Sequence, residues 1–137
     1  MKFLPRVVAP ATGSPAAPAG TTKQRGDAAE ASALAHLQAA GLRLLERNYR
    51  TPGRGGGEID LIMREPDGTV VFIEVRQRAG ASHGGAAASV SAVKQRRIVF
   101  AARHYLMRQR TLPPCRFDVV GVEAGRIDWL RAAFDAF

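Results

Sequence analysis

One stretch, Glu58 to Arg76, constrains this chain more than any other: EIDLIMR, then EPDGT, then VVFIEVR. Two apolar-rich runs flank a turn, the pattern of a β-hairpin with strands over 58–64 and 69–76. In Glu65-Pro66-Asp67-Gly68-Thr69, Pro66 suits the opening of a type I turn and Gly68 the left-handed position that closes it. That makes a three-residue loop and pairs Glu65 with Thr69. Counting back along both strands then sets Asp60 opposite Glu74, where Cβ atoms lie about 4.5–5.5 Å apart. A two- or four-residue loop would put these side chains on opposite faces.

The pairing is costly. Strand side chains alternate between faces, so Glu58, Asp60 and Ile62 share one face of the first strand. Phe72, Glu74 and Arg76 share one face of the second. Glu74 interrupts Val70-Val71-Phe72-Ile73, a run that reads as a buried central strand. Carboxylates in such a setting need a counter-charge or a cation. The hairpin alone leaves two readings open: an ion network with Arg76 and other arginines, or a site for a hard divalent cation.

Two helices bear on the same face. Residues 27–40 read as a helix with Asp27 as N-cap and Gly41 as its stop. Glu30 lies on the Leu34 and Leu37 side of it, yet Asp27-Ala28-Ala29-Glu30 is also spaced as a capping box, and spacing alone favours the cap. A long helix is expected over 89–110, with Ser89 or Ser91 near its cap and Pro113-Pro114 beyond its end. There Lys94 shares a stripe with Ile98, Ala101 and Tyr105 and points toward the sheet. The segment 94–110 holds Lys94, Arg96, Arg97, Arg103, Arg108 and Arg110 and no acid, which suits phosphate contacts or a solvated face.

The rest of the chain completes a mixed α/β layer fold in the order α-β-β-β-α-β-β-α. Residues 1–22 read as a disordered basic tail rich in Ala, Pro and Gly, leaving one domain over 23–137. Leu42–Arg50 is a first strand and Thr51–Gly57 a glycine-rich loop. Ala79–Ala88 is a small-residue loop. Arg116–Val122 and Arg126–Leu130 are two further strands, and Arg131–Phe137 is a last helical turn. Twenty Lys+Arg against 12 Asp+Glu give a formal charge of +8. That favours a polyanionic partner, although an Arg-rich composition alone produces the same number. No apolar run approaches the roughly 20 residues of a membrane span, and Pro5-Arg6 cuts short any leader-like start. A single cysteine, Cys115, excludes an internal disulfide and favours a reducing cytoplasm.

Several of these segments, in this order, are familiar together. Gly26-Asp27-Ala28-Ala29-Glu30-Ala31, Asn48-Tyr49-Arg50, Gly57-Glu58-Ile59-Asp60-Leu61-Ile62, Phe72-Ile73-Glu74-Val75-Arg76, Lys94-Gln95 and Arg116-Phe117-Asp118-Val119-Val120 resemble the YraN family (UPF0102) of small bacterial proteins. The resemblance runs from about Gly26 to the C-terminus. That family in turn resembles the restriction-endonuclease-like fold and its junction resolvases. The resemblance implies a central mixed sheet of about five strands flanked by helices. It also implies a metal-dependent endonuclease acting on branched or structured DNA, DNA rather than RNA, with a homodimer as the resolvase precedent. Carried over by position, Glu30 is the helix acid, Asp60 and Glu74 are the strand acids, and Arg76 is the basic member. Asp60, Glu74 and the Val75 carbonyl would bind Mg²⁺ or Mn²⁺, with Glu30 beside them. The resemblance thus raises Glu30 from cap to site residue, two roles that can coexist.

Arg76 departs from the lysine usual at this position in such nucleases. It keeps its proton and cannot be a general base; Lys94 is the candidate to compensate. Arg50 and Arg54 join Arg96 and Arg97 as candidate nucleic-acid contacts. Two alternatives remain: a nucleic-acid-binding protein whose nuclease site is degenerate, and an assembly protein whose basic face meets an acidic partner.

Overall fold

The computed structural model describes residues 21–77 and 90–135. Along them run α1 (Thr22–Ala39), β1 (Arg43–Arg50), β2 (Glu58–Arg64), β3 (Val70–Gln77), α2 (Ala92–Leu106), β4 (Cys115–Glu123) and β5 (Arg126–Phe134). The strands form one sheet in the order β1-β2-β3-β4-β5. Every neighbouring pair is antiparallel except β3–β4. A parallel pair needs a crossover, and α2 lies within it. This is the mixed five-stranded sheet flanked by helices that the family resemblance implies.

The two helices cover opposite faces. Ala29, Ala33 and Leu37 of α1 pack with Leu61, Met63, Val71, Ile73, Val120 and Val122. Ile98, Ala101, Ala102 and Tyr105 of α2 pack with Ile62, Val70, Phe72, Phe117 and Val119. Both faces of β3 are therefore apolar, which is why its sequence reads as a continuous hydrophobic run. No helix among the described residues is long and apolar enough to cross a membrane.

Three boundaries differ from the pattern-based expectation. The first helix begins at Thr22, not Asp27. Its N-cap is Thr21, whose hydroxyl accepts from Gln24 N at 3.0 Å while the Gln24 side chain accepts from Thr21 N at 2.9 Å. That reciprocal capping box draws the last residues of the expected tail, and Gly26, into the helix. Asp27 is a mid-helix residue paired with Lys23 at 2.9 Å. The second helix, capped by Ser91, stops at Leu106 rather than near Pro113. Its end tightens into three-residue bonds, Arg108 N to Tyr105 O at 3.3 Å and Gln109 N to Leu106 O at 2.9 Å.

The third difference is at the C-terminus, where Arg131–Phe134 continues β5 instead of turning into a helix. Asp118, buried in β4, accepts from Ala132 N at 2.9 Å and Trp129 Nε1 at 2.9 Å, and Phe134 stacks on Phe117. A register shift between Phe117 and Val119 accommodates the extra length. The expected tail up to residue 20, the 79–88 loop and the last two residues lie outside the described residues.

Candidate functional site: an acid pair at a splayed strand end

The turn closes as its residues demand. Glu65 N donates to Thr69 O and Gly68 N to Glu65 O, each at 2.9 Å, with Gly68 at φ 96°. β2 and β3 then pair Arg64–Val70, Met63–Val71, Ile62–Phe72 and Leu61–Ile73. The next step of that register faces Asp60 with Glu74, but the ladder ends one pair short of it. Asp60 instead turns its carboxylate into the gap, where Oδ2 accepts from Val75 N at 2.7 Å. A strand residue's N–H and C=O lie on the same edge, so the Val75 carbonyl faces the gap too.

A backbone distortion lies on the other side of Asp60. The β1–β2 register sets Asn48 across from it, between the pairs Arg47–Leu61 and Tyr49–Ile59. Asn48 has φ 51°, a left-handed conformation that asparagine tolerates better than most residues. Beyond it the alternation of β2 lapses. Ile59, expected beside Leu61 and Met63, packs in the α2 core with Ile62. Asp60 thus sits where β2 leaves β3 while its pairing with β1 continues to Arg50–Glu58. The Asn48-Tyr49-Arg50 segment was legible as a motif, but nothing in the sequence marked Asn48 as the irregular residue.

Glu74 projects toward α2 and is only 4% exposed. Lys94 Nζ lies 3.1 Å from its Oε2, and Arg76 Nη1 lies 3.6 Å from the same oxygen. Lys94 therefore reaches the sheet, as its helical stripe indicated. Among the described residues Asp60 has no such cation. Burial and the charge of Glu74 push its carboxyl up to about 8, against the opposing Val75 hydrogen bond, with Glu30 and Glu58 adding smaller repulsions.

Glu30 comes from α1, at the edge of the Ala29–Ala33–Leu37 stripe. It caps nothing. Its Oε1 is buried without a hydrogen-bond partner among the described residues, and desolvation raises its carboxyl above the ordinary range, opposed by Arg47. Glu58 is exposed and held to Arg50 Nε at 3.6 Å.

The other expected contacts divide. Arg50 ends β1. Thr51 is buried behind it, its Oγ1 accepting from Gly57 N at 2.8 Å and its N donating to Gly57 O at 3.1 Å. That double contact closes the glycine-rich loop, which carries the exposed Arg54. A Cβ on Gly57 would lie 1.9 Å from Arg97 O, so only glycine lets the loop rest on α2. Arg97 faces this loop. Arg96, one residue earlier, faces another groove with Phe100 and Arg103.

The family follows from comparison. The model described as uncharacterised protein family UPF0102 matches residues 29–122. The chain belongs to the UPF0102 (YraN) family. A UPF0102 protein of Albidiferax ferrireducens is 80% identical over 117 residues, covering 85% of this chain and 91% of its own. Another from Polaromonas naphthalenivorans is 70% identical over 125 residues, 85% of this chain and 82% of its own. A third, from Polaromonas sp. strain JS666, is 66% identical over 137 residues, 93% and 92%.

The donor chemistry of this UPF0102 site fits a hard divalent cation. Asp60 and Glu74 offer carboxylate oxygens, the Val75 carbonyl faces them, and Glu30 adds a buried oxygen with no described partner. Among the described residues no three His, Cys, Asp or Glu side chains form a metal cage. Two carboxylates and a main-chain carbonyl suit Mg²⁺, which keeps several waters and takes one or two protein carboxylates. Glu30 stands off as a neighbouring charge.

Proposed function

We propose that this protein binds nucleic acid at the splayed end of β2 and β3 and acts there as a Mg²⁺- or Mn²⁺-dependent phosphodiesterase on branched or structured DNA. The observation that carries the reading is the excess of buried carboxylate. Asp60 is pushed up by burial and by Glu74, while a buried Glu30 oxygen beside them has no partner among the described residues. In a chain of formal charge +8, such a cluster is an expense that a cation and a phosphate substrate would relieve.

Asp60, Glu74 and the Val75 carbonyl would hold the ion, which when bound supplies Lewis-acid charge opposite the scissile phosphate. The Val75 N–H fixes the Asp60 carboxylate, so the donor pair is set before substrate arrives. Arg76 keeps its proton and stabilises negative charge on the phosphate. Lys94, held at Glu74, is placed to donate to a phosphate oxygen or to the departing one.

A second reading is a binding protein with a degenerate nuclease site. It is favoured by the two cations, Lys94 and Arg76, that already neutralise Glu74. Incubation with branched, duplex and single-stranded DNA in Mg²⁺, Mn²⁺ or EDTA separates the two. Cleavage lost in Asp60→Ala supports the first. Salt-sensitive binding without cleavage, indifferent to EDTA and to Asp60→Ala, supports the second. Failure to bind any nucleic acid removes both.

A further inference from the structure

Beside the acid pair lies an open cleft of about 340 Å³, within the size range that takes small ligands. Its lining includes Arg50, Thr51, Gly57, Glu58, Lys94 and Arg97. Three cations face one carboxylate, and that carboxylate, Glu58, is engaged with Arg50 Nε. Arg97 has no ion-pair partner among the described residues. Its described lining holds no aromatic ring on which a base would stack. Lys94 is shared: its side chain lines the cleft while its Nζ lies 3.1 Å from Glu74 Oε2. Lys94 therefore links the cleft to Glu74 of the acid pair.

The cleft is also built in advance. Thr51 and Gly57 close the loop through main-chain and hydroxyl bonds, and Gly57 seats it against the Arg97 carbonyl. A binding surface fixed before its ligand arrives loses less entropy on binding.

We infer that this cleft is a phosphate subsite, holding the phosphate of one nucleotide next to the position facing Asp60 and Glu74. Its lining reads backbone rather than base, so it selects no sequence. The inference rests on the nucleic-acid reading for the identity of the ligand, but the phosphate chemistry stands on the lining alone. The phosphate is either an internal diester or a terminal monoester.

The test follows backbone amide shifts while inorganic phosphate is titrated. In parallel, fluorescence anisotropy measures binding of an oligonucleotide bearing a 5′-phosphate and of its 5′-hydroxyl counterpart. Arg50→Gln and Arg97→Gln alter exposed side chains and leave the core untouched; Arg43→Gln, exposed at the opposite end of β1 from Arg50, is the control. Phosphate should shift amides in 50–58 and 94–98. Each cleft variant should weaken oligonucleotide binding about tenfold, as for the loss of one charge-assisted contact, while Arg43→Gln changes it little. An Arg97-dependent preference for the 5′-phosphate assigns the terminal monoester; equal weakening of both oligonucleotides assigns the diester. If DNA binds but the cleft variants behave like the control, the subsite is wrong and the nucleic-acid reading survives. If phosphate shifts the cleft amides but no DNA binds, the nucleic-acid reading fails and the anion site stands. Phosphate shifts confined to other residues overturn the subsite outright.

Discussion

Asp60 and Glu74 are one register step apart from being a simple cross-strand pair, yet they are stabilised by different means. Glu74 has two cations on one oxygen; Asp60 has a single main-chain N–H and the repulsion of its neighbours. Folding raises the Asp60 carboxyl from 3.8 to about 8. The folded state therefore keeps a proton that the unfolded chain has lost, and stability from this group is full below about 3.8 and drains away as pH rises to about 8. The metal-free protein should melt at progressively lower temperature across that window. Asp60→Asn, which still accepts from Val75 N, should flatten that loss and at pH 8 recover about 1 kcal/mol or more, roughly 4 °C or more in Tm. Added Mg²⁺ should raise the wild-type Tm at pH 8 and leave the variant's nearly unchanged. A variant that melts at or below wild type at pH 8 would remove the premise that Asp60 is strained by its surroundings. The facing of these two residues was legible because a turn with Pro66 and Gly68 fixes its own length. Asn48 and the stand-off of Glu30 were not, because a left-handed asparagine and a helix acid have no spacing that distinguishes them from ordinary ones.

Among the elements, the hairpin turn followed its pattern, while the start of α1, the end of α2 and the C-terminal end of β5 did not. The reason is visible in α1. Thr21-Thr22-Lys23-Gln24 and Asp27-Ala28-Ala29-Glu30 both carry capping-box spacing, and Gly26 between them made the later one look like the boundary. The earlier box wins, and the helix runs through Gly26. A Cβ added there meets nothing within 4 Å, and its φ is not in the left-handed region. Gly26→Ala should therefore stabilise the protein by about 0.5–1 kcal/mol, by removing unfolded-state freedom without a clash. Urea unfolding checks it: the midpoint should rise with an unchanged slope, and a fall would mean that α1 does not extend through this position. At the other end, Ala132 and Ala133 read as helix formers on local propensity. The buried Asp118 overrides this by claiming the Ala132 amide at φ 51°, so a long-range contact, absent from any local window, decides the strand.

At the scale of the molecule, the sheet end gathers what the helices bring from opposite sides: Glu30 from α1, Lys94 and Arg97 from α2. The sequence announced a basic chain but not which cations converge, since an exposed arginine reads alike on any face. Arg97 joins Arg50 at one cleft, while Arg96 belongs to another groove. This partition has a thermodynamic signature. Each phosphate neutralised on duplex DNA contributes about 0.9 to the slope of log K against log salt, and about 0.7 on a single strand. If Arg50 and Arg97 each neutralise one phosphate, the double variant should lose about 1.8 from the duplex slope and about 1.4 from the single-strand slope. Arg43→Gln, at the far end of β1, should leave both slopes where they were. Anisotropy titrations over a range of salt read the slopes directly, and weakening from a changed fold would show in Tm rather than in the slope. A double variant with the wild-type slope would assign DNA binding to cations elsewhere on this +8 chain.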